Sequence, residues 1–182
     1  MNKTMLAVLS GVLVILALAW GSVRSAETEP RYTNERYGLS IPLSQDVRLY
    51  TPENPGPFTF EGKNLCILVN KWKSSDLIML NRSEIPDEVE LDNFLLKMQA
   101  TGLPQPGYRK VAVRYTTVGD NPPKRAVEHI FELGGAAPRT MRQVYFTHKG
   151  QGFALVATSV PDRFEDINKT FFDPVFRSLR FE

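Results

Sequence analysis

Along this chain polar and apolar positions alternate in some stretches and fall at helical spacing in others. Tyr37-Gly38-Leu39-Ser40-Ile41 alternates and is stopped by Pro42, which predicts a short strand. Val47 to Tyr50 predicts a second. Three prolines in Thr51-Pro52-Glu53-Asn54-Pro55-Gly56-Pro57 forbid helix and central strand, so this is a loop. Phe58 to Glu61 and Asn64 to Trp72, split by Gly62-Lys63, predict a hairpin. Leu91, Phe94, Leu95 and Met98 then make one apolar stripe over Glu88 to Ala100, a helix with Asp87, Glu88 and Glu90 at its positive end and Gly102 and Pro104 as its stop.

Four strands are predicted next: Tyr108 to Tyr115, Arg125 to Leu133, Arg139 to His148 and Gly152 to Val160. The last is nearly all apolar and therefore central. Their links, such as Gly134 to Pro138 and Lys149-Gly150-Gln151, are too short for parallel crossovers, so the neighbours are antiparallel. From Asp162, with Glu165 three residues on, an apolar stripe of Phe164, Ile167, Phe171, Val175 and Leu179 predicts a terminal helix. Pro174 breaks its backbone bonding while the stripe stays in phase, which implies a kinked helix or two short ones on one surface. The sum is an α+β fold, a single antiparallel β-sheet covered by two helices.

The N-terminus reads differently. Lys3 precedes an apolar run from Met5 to Trp20, the pattern and length of a signal peptide and short of a bilayer span. Val23-Arg24-Ser25 places compact residues where a signal peptidase reads, so cleavage is expected after Ser25, with Gly21 as the alternative and an uncleaved anchor as the third outcome. Residues 1–25 are thus assigned as signal peptide, 26–36 as a lead-in and 37–182 as one domain, placed outside the cytoplasm in the periplasm or secreted. Of 22 basic residues Lys3 and Arg24 belong to the signal, leaving 20 against 20 acidic ones. With no net positive field, nucleic acid is excluded as an expected partner. Cys66 is the only cysteine, so no intrachain disulfide forms, and its apolar setting Leu65-Cys66-Ile67-Leu68-Val69 predicts a buried inert thiol.

Candidate chemistry is sparse. If Leu133 faces Arg139, His129 pairs with Gln143 and lies roughly 16 Å from His148, on the opposite face, so the two cannot share a metal ion. His129 is expected at the core or its rim with one hydrogen bond, and His148 in solvent. No G-x-S-x-G elbow occurs, and Gly134-Gly135 does not precede a helix as a phosphate loop would. The acids Asp87, Glu88, Glu90 and Asp92 have a helix-dipole reason to be where they are. Trp72 is expected to cap the core, with a lysine-flanked surface aromatic as the alternative. The loop Thr116 to Pro123 is expected to be a connection, with recognition as its alternative. No catalytic, cofactor-binding or metal residue is therefore assigned, and no cofactor.

The opening Tyr37-Gly38-Leu39-Ser40-Ile41-Pro42, the mid-chain helix, the meander and the ending Phe176-Arg177-Ser178-Leu179-Arg180-Phe181 resemble the PsbP/DcrB-like family of small extracytoplasmic domains, over residues 32–182. The chain departs from that family in following Pro42 with Leu43-Ser44-Gln45-Asp46 in place of a glycine-tryptophan pair. The resemblance implies a non-catalytic accessory or binding module, associated with an envelope membrane complex through a protein partner of unknown identity. A hydrolase with a site of dispersed residues and a carrier of a small apolar ligand are the alternatives. Mass spectrometry of the protein from its native host is expected to find an N-terminus at Ala26, or at Ser22 for the alternative cut; an intact Met1 would establish an uncleaved anchor.

Overall fold

The computed structural model describes residues 30–60 and 64–182. The signal-peptide expectation lies outside the described residues. Ten strands are found among them: β1 Arg31–Asn34, β2 Leu39–Pro42, β3 Val47–Tyr50, β4 Leu65–Lys71, β5 Leu77–Ser83, β6 Tyr108–Val118, β7 Lys124–Leu133, β8 Arg139–His148, β9 Gln151–Ser159 and β10 Arg180–Phe181. Helix α1, Glu88–Ala100, follows β5. A seven-stranded antiparallel sheet has the order β3-β4-β5-β9-β8-β7-β6, and a small sheet has the order β1-β2-β10. The fold is α+β.

The meander matches its pattern. Leu133 pairs with Arg139 and His129 with Gln143, as the hairpin geometry requires. Strand β9 is central, between β5 and β8, and all but its first residue are buried. One face of the sheet carries α1, whose Leu91 and Leu95 pack with Val127 of β7. Asp87 caps that helix by accepting from the Val89 and Glu90 amides at 3.0 and 2.9 Å. The other face carries Phe146, Phe153, Leu155 and Ala157 under the terminal helix.

Three differences from the expectation have physical causes. The predicted hairpin partner Phe58 to Phe60 forms no strand; β4 pairs instead with β3 and with β5, which the pattern did not mark. Strand β5 shows no clean alternation in its sequence because Leu77, Ile78, Met79 and Leu80 run apolar together, although only Ile78 and Leu80 are fully buried; the strand lies inside the sheet, paired with β4 and β9 along its two edges. The lead-in segment supplies β1, which pairs with β2, while β10 pairs with the other side of β2.

The terminal helix is continuous but changes gauge. A 3-10 turn Pro161–Arg163 leads into an α segment Phe164–Ile167, a π turn Asn168–Phe172 and a second α segment Asp173–Arg177. In the π turn the Asp173 amide reaches back to the Asn168 carbonyl. The wider turn lets Pro174, which has no amide hydrogen, open a fresh α segment at a position where none is required. Phe164, Ile167, Phe171, Phe172, Val175 and Phe176 all stay buried. Asp162 sits inside the 3-10 turn and makes no side-chain cap.

Phe171 is 5% exposed and lies tilted against Phe172, ring centres 5.4 Å apart. Phe171→Ala is expected to lower the unfolding free energy by roughly 3 to 5 kcal/mol in denaturant titrations. A loss within about 0.5 kcal/mol, the range of an unremarkable surface change, would mean the helix is not docked on the sheet.

Candidate functional site

Four connections gather at one end of the large sheet: the β1–β2 turn, the loop between β3 and the start of β4, the link from β5 to α1 and the β8–β9 turn. Between them lie three adjoining crevices of about 480, 300 and 270 Å³. In the β1–β2 turn the Asn34 side chain accepts from the Tyr37 amide at 3.1 Å, which leaves Arg36 exposed and turns Tyr37 inward. The Tyr37 ring meets Phe153 edge-on at 5.8 Å. The loop after β3 closes on itself through reciprocal backbone bonds between Thr51 and Asn54, both 3.1 Å. At the β9 start Gly152 is obligatory, since a Cβ there would stand 1.9 Å from the Ile85 carbonyl oxygen. This close approach holds the link to α1 against the sheet and shapes the largest crevice, lined by Asn64, Arg82, Glu84, Pro86 and Gln151 among others.

The middle crevice, of about 300 Å³, is lined by Arg36, Tyr37, Pro52, Phe60, Leu65, Cys66 and Arg82. Burial pushes the Cys66 thiol up from its ordinary value, and burial followed by the Cys66 contact pushes the Tyr37 phenol up. Both groups are neutral at pH 7. In the adjoining crevice of about 270 Å³ the Thr51 hydroxyl holds the Glu53 carboxyl below the ordinary carboxylate range, so it stays ionised.

A fourth crevice of about 340 Å³ lies under the terminal helix, lined by Thr116, Thr117, Gly119, Asp120, Arg142, Asp173, Phe176 and Arg177. Its charges are consumed internally. Arg142 donates to Glu128 and Asn168, both at 2.7 Å, and to Asp173, while Arg177 and Arg180 pair with Asp173 and Asp120 at 3.7 and 3.8 Å. The loop Thr116 to Pro123 is pinned there: the Gly119 amide donates to the Phe176 carbonyl at 2.9 Å, and a Cβ on Gly119 would meet the Phe181 ring at 2.5 Å.

The residues singled out from sequence do not converge. Cys66 is buried, as its setting predicted. His129 is buried on the α1 face, its Nε2 2.9 Å from the Tyr108 hydroxyl and its Nδ1 without a partner. His148, expected in solvent, is 8% exposed; strand alternation carries it to the opposite face, where its Nε2 lies 2.9 Å from the Gly38 carbonyl oxygen beneath Phe181. Trp72, expected in the core, is 43% exposed, because β4 ends one residue earlier and the chain turns away. The Arg48 guanidinium covers its ring at 3.3 Å. Of the α1 acids, Asp87 caps the helix, Glu88 and Asp92 hold Arg125, and Glu90 accepts from Asn93. Among the described residues no group of three His, Cys, Asp or Glu could hold a metal ion. Arg36 and Arg82 were missed. They are single basic residues in sequence, with Glu35 beside Arg36 and Glu84 two residues after Arg82, so no local pattern marked them.

This order of strands, with α1 and the terminal helix on opposite faces of an antiparallel sheet, is the PsbP-like fold. The chain is similar to the solution structure of cyanobacterial PsbP (CyanoP) from Synechocystis sp. PCC 6803, with a TM-score of 0.59 at 13% identity over 88% of this chain and 98% of that one. It is also similar to LpqN of Mycobacterium tuberculosis, described as involved in cell envelope biogenesis, with a TM-score of 0.52 at 13% identity over 85% and 87% of the two chains. The sequence matches no protein-family model and no curated protein.

Burial lowers the His129 pKa from 6.5 to about 4, with Lys110 adding to the effect. The unfolded chain therefore takes up a proton near pH 6.5 that the folded chain refuses until about pH 4. Stability from this group is complete above pH 6.5 and is lost as the pH falls, by about 2 kcal/mol at pH 5. Urea midpoints measured from pH 7 to pH 5 are expected to fall, and His129→Phe to remove most of the fall, His148 supplying the remainder through its own lowered pKa. A variant as pH-sensitive as wild type would place the effect elsewhere.

Proposed function

We propose that this protein is an exported accessory module of the cell envelope, freed of residues 1–25 on export, that works by binding a partner at the loop end of its sheet. The observation that carries this reading is the state of the groups lining the middle crevice. Its thiol and phenol are pushed up and stay neutral, the Glu53 carboxyl of the adjoining crevice is pushed down and stays charged, and its two arginines present donors without a carboxylate between them. Such groups hold a ligand but have no proton to exchange near pH 7, whereas a general acid or base needs a pKa close to the working pH. The polar lining also favours recognition of a charged group over a dry apolar cavity. Export rests on the N-terminal charge and apolar pattern, and the envelope setting draws support from the described role of LpqN.

The tagged full-length gene expressed in its native host provides the test. After fractionation and cross-linking, the protein is expected in the envelope fraction, joined to a partner, with cross-links mapping to the loop end. Arg82→Glu should cut the cross-linked yield several-fold. Trp72→Ala, at the opposite end of β4, should leave it unchanged. Protein retained in the cytoplasm, or cross-links that require Trp72 and ignore Arg82, would overturn the proposal.

A further inference from the structure

Among the described residues, most arginines are spoken for. Arg109, Arg114, Arg125, Arg142, Arg163, Arg177 and Arg180 each pair with a carboxylate. Arg31 donates to Ser40 and Ser178, Arg139 to Ser75, and Arg48 lies on Trp72. Arg36 and Arg82 differ: among the described residues neither forms an ion pair, both are exposed, and both line the same crevice of about 300 Å³.

Their placement follows from the strands. Arg82 continues the face of Ile78 and Leu80 on β5, at the edge of the core, cross-strand from the buried Phe153 and itself exposed. Arg36 sits at the tip of the β1–β2 turn, its guanidinium carbon 5.5 Å from the Tyr37 ring centre. Between them the walls are Tyr37, Pro52, Phe60 and Leu65, with the neutral Cys66 behind. The acids stand outside this middle space: Glu53 lines the crevice on the Arg36 side and Glu84 the one on the Arg82 side.

A basic centre with apolar walls and an acid at each flank selects by charge distribution. A single oxyanion head finds two guanidinium forks, which suit carboxylate and phosphate geometry. An extended polyanion runs into Glu53 or Glu84. Bare inorganic anions leave the apolar walls uncovered, and a neutral apolar molecule leaves both arginines unanswered. We propose that the middle crevice binds an amphiphilic oxyanion, with one carboxylate or phosphate head between Arg36 and Arg82 and an apolar tail against Tyr37, Pro52, Phe60 and Leu65. This deepens the binding reading above and rests on it only for its biological setting.

The test is titration calorimetry of the purified protein, expressed from the full-length sequence, with octanoate and octyl phosphate. Octanol, inorganic phosphate and adenosine triphosphate serve as the neutral, headgroup-only and polyanionic probes. Both amphiphilic anions are expected to bind saturably and at least tenfold more tightly than the other three. Octyl phosphate binding alone would assign the site to phosphate heads such as those of lipids, and octanoate alone to free carboxylates; either outcome upholds the proposal. Arg36→Gln and Arg82→Gln should each weaken binding tenfold or more while keeping the wild-type melting temperature, and Arg139→Gln should change nothing. Octanol binding as tightly as octanoate, inorganic phosphate or adenosine triphosphate binding as tightly as octyl phosphate, arginine variants that bind like wild type, or no binding of either amphiphile would overturn the proposal. Loss of the ligand with partner cross-linking intact removes this inference and leaves the accessory reading standing. Ligand binding without any envelope partner does the reverse.

Discussion

Arg142 is the residue on which the rest of the packing depends. Alternation along β8 forces its side chain to the face covered by the terminal helix, where it is only 8% exposed. A buried guanidinium is tolerable only if its donors are met, because an unpaired charge at such depth costs several kcal/mol. Glu128 on β7, 1% exposed, meets one side and is itself held from β6 by Arg114 at 2.6 Å. Asn168, the first residue of the π turn, and Asp173, the residue just after it, meet the other. Three strands and the terminal helix therefore share one electrostatic condition. A slip of one residue between β7 and β8 would carry Arg142 and Glu128 to opposite faces and leave both unsatisfied, so the pair defines register more than it adds stability. Asp76 does the same at the far end of the sheet, fully buried and held by Ser159 at 2.6 Å and Arg163 at 3.0 Å.

Internal satisfaction on this scale decides where polar groups are left unanswered. Charges on the sheet faces and on α1 answer one another, so they present little to a partner. The loop end is different because strands finish there without a covering element, and side chains that continue the core face emerge into solvent. Arg82 is the clearest case, two residues beyond Leu80 and no longer roofed. The same geometry puts Tyr37 and Cys66 half in the core and half at the crevice floor.

What could be read from the chain divides along physical lines. The meander and α1 were legible because their residues face one covered side, which imposes alternation or a helical stripe. The Leu133 to Arg139 hairpin followed from link length alone. Strands β1 and β10 were not legible, since four- and two-residue strands owe their existence to pairing with β2 from opposite ends of the domain. His148 was misplaced because its neighbours Lys149 and Gly150 suggested a solvated turn, while strand parity, already on the page, put it on the buried face. Trp72 was misplaced because bulk and aromaticity suggested the core one residue after the strand had ended. The crevice arginines come from turns and strand ends far apart in sequence, and no local pattern joins them.

The π turn before Pro174 carries a consequence for how this helix tolerates change in length. A π turn is geometrically an α-helix with one residue too many, and here the surplus residue is absorbed between Asn168 and Phe172. Removing a single residue from that stretch would let a regular α turn replace the wide one, with Val175 and Phe176 kept close to their present facing. A residue removed from a regular α turn has no such slack and would rotate everything after it by about 100°. The helix thus carries a reserve of length at one point, and a deletion between Asn168 and Phe172 is far milder than one in the segments on either side.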